Sequence, residues 1–108
     1  MQFNDYERKS INESALLLRA LAHKLRISII NFIDINQPVQ VYRIHSELGL
    51  EQSITSQHLK ILRESGIVTT TRKGKQIFYE VNQKKLTHAS VLVADFDKRT
   101  LAERKRKK

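Results

Sequence analysis

The 108-residue chain contains no cysteine, which removes disulfides, thiolate metal sites and thiol-based redox sensing together. It has no apolar run approaching the roughly 20 residues needed to span a bilayer. The opening MQFNDYERKS mixes acids, bases and aromatics where a signal peptide would be apolar. These absences predict a cytoplasmic protein without a membrane partner. Turn formers are sparse as well, with three glycines and one proline, each falling where a small helical domain needs punctuation. Three scattered glycines make no phosphate-cradling loop, and there is no paired-acid or metal constellation at helical spacing. No enzymatic activity, metal or cofactor is therefore expected.

What is present is a charge surplus. The formal net charge is +9 and the pI about 10.1, which calls for a polyanionic partner, either nucleic acid or an acidic membrane surface. Much of the surplus is terminal: Lys98, Arg99, Arg104, Lys105, Arg106, Lys107 and Lys108 face a single acid, Glu103. Residues 1–97 are expected to form one domain and 98–108 a basic tail that finishes a helix and then becomes disordered. Attraction to DNA is the next reading of the tail, and membrane binding the third, because no apolar face accompanies the charges.

Between the glycines and the proline the pattern is helical. SINE at Ser10 to Glu13 has the capping-box form and predicts a helix running through ALLLRAL. A second helix is expected after Ala22 and His23, with Leu25, Ile29, Ile30, Phe32 and Ile33 at helical spacing, broken at DINQPVQ by Pro38. VYRIHSELGL predicts a short third helix closed by Gly49, and SITSQHLKILRESG a fourth closed by Gly66. Two helices joined by so brief a turn fit a helix-turn-helix, whose second member enters a nucleic-acid groove.

After Gly66 the period changes from 3.6 to 2. IVTTTRKGKQIFYEV predicts a hairpin, with Lys73-Gly74 as its two-residue turn, Val68 and Thr70 on one face with Ile77 and Tyr79, and Arg72, Lys73 and Lys75 at its tip. A last helix is expected from about Gln83. The fold class is therefore mainly α with a small β-hairpin: a winged helix-turn-helix with a closing helix.

On the fourth helix an ordinary surface would be filled with Glu and Lys, yet its outward face begins with small hydrogen-bonding side chains. The candidate contacts to double-stranded DNA are Gln52, Ser53, Thr55, Ser56, Gln57, His58 and Lys60, with Arg72, Lys73 and Lys75 on the wing. Gln57 suits bidentate pairing with adenine and Lys60 a phosphate. Thr55 also shares the inner face with Leu59 and Leu62, where it reads as core. His58 lies on the flank, where it either packs or touches DNA. Arg26 is open between a phosphate contact and an internal carboxylate partner. The stripe Leu86, Ala89, Val93 and Phe96, together with Leu17, Leu18 and their neighbours Leu16 and Leu21, exceeds what so short a chain can cover. It is the expected dimer surface.

These segments resemble the ArsR-type winged-helix transcriptional regulators: LRALAHKLRISIINFI is similar to the family's opening motif, GLEQSITSQHLKILRESGIV to its recognition-helix signature and RKGKQIFYEVN to its wing. The resemblance spans roughly Leu16 to Asn82. It implies a homodimer, paired through first and last helices, that binds an inverted repeat and represses until an effector releases it. The positions where metal-sensing members carry Cys-x-Cys are Gln40 and Tyr42 here. At the family's second metal site, aligned on His88, the other positions are Leu86, Arg99 and Ala102, so the resemblance implies no metal sensing. Two further readings stay open: a winged-helix protein-interaction module of antitoxin or scaffold type, and a non-specific DNA-coating protein.

Overall fold

Helix formation begins earlier than Ser10. The structure is a computed structural model describing the backbone of residues 2–106 and the side chains of residues 2–95, and in it α1 (Asp5–Leu21) is capped by Asn4. The Asn4 side-chain oxygen accepts from the Glu7 N–H at 2.7 Å, while the Glu7 carboxylate accepts from the Asn4 N–H at 3.4 Å. Asp5 and Glu7 in the first turn also complement the helix dipole. Ser10 to Glu13 thus lies inside the helix. Once the upstream box has nucleated a helix, each further residue adds a hydrogen bond at little cost, and the second box-like string is simply traversed.

α2 (Lys24–Asn36) follows after a sharp turn, with His23 as its cap: Nδ1 accepts from the Leu25 N–H at 3.1 Å. α3 (Val41–Glu47) ends at Leu48, and α4 (Gln52–Glu64) follows the short turn through Gly49. β1 (Val68–Lys73) and β2 (Gln76–Val81) form the antiparallel hairpin, and α5 (Gln83–Arg106) closes the chain. At the start of α5 the Asn82 side chain accepts from the Lys85 N–H at 3.2 Å.

The hairpin turn is Gly74-Lys75, one residue later than expected, with Gly74 at φ +63° and Lys73 paired to Gln76. Glycine at the first loop position supplies the positive φ that a two-residue hairpin loop of the II′ kind requires there. The shift changes every cross-strand partner by two residues, so Thr70 faces Tyr79 and Arg72 faces Ile77. Because the side-chain period is also two, the expected face is kept, and Val68 and Thr70 still share it with Ile77 and Tyr79. Val39, in the segment read only as a break, adds a third short rung. Its N–H reaches the Tyr79 carbonyl at 3.1 Å and its carbonyl accepts the Tyr79 N–H at 2.7 Å.

One core unites these elements. Leu17 and Ala20 of α1, Ile29, Ile30 and Ile33 of α2, Ile44 of α3, and Leu59 and Leu62 of α4 are buried with Val39, Ile67, Val68, Val81 and Ala89. Leu59 is 1% exposed; Leu59→Ala should cost about 2–5 kcal/mol, seen as a lower urea midpoint with an unchanged m-value.

Candidate nucleic-acid interface

α4 presents its outer face because its inner face is committed. Thr55 is fully buried and its hydroxyl donates to the Glu51 carbonyl at 2.9 Å. That corrects its inclusion among DNA contacts: the threonine is a satisfied core residue, one turn's spacing from Leu59. Gln52, Ser53, Ser56, Gln57 and Lys60 are all exposed, as the wheel requires. The helix has no acid in its first turn, and its N-cap residue, Glu51, makes no side-chain cap hydrogen bond. First-turn N–H groups therefore point outward beside short polar side chains, the arrangement that favours a phosphate.

His58 lies half-buried on the flank, its ring centroid 4.7 Å from that of His23. Burial, then the nearby His23 and Arg26, hold its pKa below the ordinary histidine value. The ring therefore packs against the turn between α1 and α2. Arg26 has no carboxylate partner among the described residues: a guanidinium N–H donates to the Arg19 carbonyl at 2.7 Å, satisfying the last turn of α1. Nothing but the fold brings His23 beside His58, although a histidine preceding a helix-spaced run is a legible capping signal.

The wing is tied rigidly to α4. Buried Ser65 donates its hydroxyl to the Leu62 carbonyl at 2.8 Å and accepts the Ile67 N–H at 3.3 Å. Gly66 turns the chain at φ +82°, and the Asn82 N–H donates to the Ile67 carbonyl at 2.8 Å. The φ value favours glycine at this joint. Arg72, Lys73 and Lys75 are exposed at the hairpin end. Arg72 Nε donates to the Gly74 carbonyl at 2.9 Å, and the Lys73 ammonium stands 5.8 Å from the centre of the Phe78 ring. Lys75 sits in the turn itself.

The expected dimer stripe divides. Leu17 and Ala89 are 1% and 0% exposed within the single chain, so they belong to its own core and not to an outer surface. Leu18, Leu86 and Val93 are half-buried, and the Phe96 side chain lies outside the described residues. Leu18, Leu21, Ala22 and Val93 line one apolar hollow, and Leu21, Ile27, Ile30, Asn31, Leu86 and Ser90 a second. Leu21 joins the two into one groove between α1, α2 and α5. The contribution of α2, through Ile27 and Ile30, was not legible from a stripe sought on the first and last helices alone.

A buttressed helix with an open polar face, a glycine joint and a basic hairpin make this a winged helix-turn-helix protein of the DNA-binding class. Residues 23–70 match the model of the bacterial regulatory protein, arsR family. Over 85 residues the chain is 38% identical to the biofilm growth-associated repressor of Xylella fastidiosa strain Temecula1, an alignment covering 79% of this chain and 73% of that protein. The chain belongs to the arsR family and is a transcriptional regulator. Among solved structures, the transcriptional repressor PagR of Bacillus anthracis is 30% identical with a TM-score of 0.66, covering 81% of this chain and 97% of that one. The homodimeric winged helix-turn-helix DNA-binding domain of Mb0332 from Mycobacterium bovis has a TM-score of 0.73 over 91% of each chain; at 19% identity this is a likeness of fold.

If Ser65 fixes the wing to α4, Ser65→Ala should lower stability by about 1–3 kcal/mol, because it leaves a buried carbonyl and N–H unpaired. Urea unfolding measures the loss.

Proposed function

We propose that the chain is a cytoplasmic, homodimeric repressor that reads an inverted-repeat operator. The observation that carries this reading is the exposed polar face of α4, uncapped at its N-terminus and backed by a fully buried one. Gln57 is the base reader, with Ser53 and Ser56 on base edges or phosphates and Gln52 and Lys60 at the rim of the contact. Arg72, Lys73 and Lys75 meet the backbone beyond the groove, adding affinity with little sequence preference. The pairing surface is the groove of α1, α2 and α5, where Leu18, Leu86 and Val93 are only half covered by their own chain. The relatives named as repressors and the homodimeric neighbour support the same reading. Two-fold pairing would set the recognition helices about 34–36 Å apart, one turn of duplex. No residue is assigned a catalytic role, in keeping with a family of regulators.

Selection from random duplexes at near-physiological salt, followed by sequencing of the bound pool, should enrich an inverted repeat. A pool that is bound but stays random would indicate DNA coating, and no binding would indicate a protein partner. On the selected site Gln57→Ala should cost about 1–3 kcal/mol, with little loss on random DNA. Lys75→Ala should weaken all duplexes alike and lower the salt slope by about one. Equal losses on both DNAs for Gln57→Ala would remove its reading role.

A further inference from the structure

On one flank of the recognition helix three basic side chains meet, His23, Arg26 and His58. The rings of His23 and His58 are tilted 57° to each other at 4.7 Å, and Arg26 lies beside them. Arg26 Nε and His58 Nδ1 are both buried without a hydrogen-bond partner. His23 Nδ1 accepts the Leu25 N–H, which requires that nitrogen to be unprotonated. The adjoining end of α1 brings Arg19, and the start of α2 brings Lys24 and Arg26. α3 brings His45 and Glu47, whose carboxylate pairs with Arg43 at 3.1 Å, the one ion pair among the described residues. The charges of β1, Arg72 and Lys73, stand at its wing end, and the acids nearest in α4, Glu51 and Glu64, lie at the two ends of that helix. Among the described residues, no carboxylate is paired with either imidazole.

We propose that His23, Arg26 and His58 form a proton-sensitive lock that holds α4 in its reading position while both imidazoles are neutral, so that operator affinity falls on acidification. The proposal rests on the assignment of α4 as the DNA reader; within it, His58 is a positioning residue that acts through its packing on α2. Protonation would set two imidazolium rings against each other beside a guanidinium. It would also remove the acceptor that caps α2, loosening the seam between α2 and α4. The lowered pKa of His58 agrees with this geometry. The folded chain favours the neutral ring, so the unfolded chain binds more protons below the ordinary value of about 6.5. Stability conferred by the neutral His58 ring is complete above that value and is lost as pH falls from there through the lower folded pKa of His58. A histidine that merely touched phosphate would do the reverse, since its protonation tightens DNA binding.

The test measures affinity for the selected duplex by fluorescence anisotropy at constant salt from about pH 8 to 5.5, across the histidine range. Wild type and His23→Ser are compared, because a serine hydroxyl still caps α2 but cannot become cationic. Wild type should weaken roughly tenfold between about pH 7.5 and 5.5, and His23→Ser less than about threefold. Constant or rising wild-type affinity on acidification, or an equal loss in His23→Ser, overturns the lock. A second readout needs no DNA: the His58 Cε1 proton in the free protein should titrate below about 6.5 and move upward in His23→Ser. An ordinary midpoint in wild type overturns the lock even if the operator is bound. Absence of binding to any duplex at pH 8 would remove the operator reading instead, and the proton titration would then show whether the cluster still repels charge.

Discussion

Burial of one face of α4 is the constraint on which the rest of the molecule depends. Thr55, Leu59 and Leu62 point into a core assembled from every other helix and both strands, and a helix anchored so completely on one side can offer only the other. Thr55 shows how little freedom remains there. Its methyl group sits in the core, while its hydroxyl bonds back to the preceding turn and leaves no orphaned polar atom. The residues facing outward are then free of structural duty, and their short polar character has to be explained by what approaches them.

The same core positions the wing. β1 leaves α4 through a joint in which the Ser65 hydroxyl bridges the end of the helix to the start of the strand. β2 returns beside Val39, and the Gln37 side-chain carbonyl accepts the Val81 N–H at 2.8 Å. Just beyond β2, at the start of α5, the Gln83 amide donates to the Asp34 carboxylate at 2.7 Å. The hairpin is thus held to α2, α4 and α5 at its base, while Arg72, Lys73 and Lys75 at its other end are exposed. A two-stranded ribbon is marginal alone; here its base belongs to the core.

Two surfaces of different chemistry result. One is polar and basic, built on α4 and the hairpin, and suited to a polyanion. The other is the apolar groove of α1, α2 and α5, the proposed pairing surface. Between them runs the seam where the turn between α1 and α2 meets the flank of α4. That seam holds His23, Arg26 and His58, so the packing that orients α4 also contains titratable groups of one sign.

The sequence by itself determined the elements, their order and the outward set on α4, because helical and strand periodicities are local properties of residue type. It also determined the absence of thiol chemistry and the face of the hairpin, which survives a register shift of two because side chains alternate with that period. Tertiary structure decided what periodicity cannot rank. It chose Asn4 over Ser10 as the start of α1, placed Thr55 wholly inside, and drew Leu17 and Ala89 into the chain's own core. It also supplied Val39 as a third rung beside Tyr79 and brought His23 against His58. In each case the deciding partner lies far away in sequence, or competes with an equally good local signal, and only the packed chain weighs one against the other.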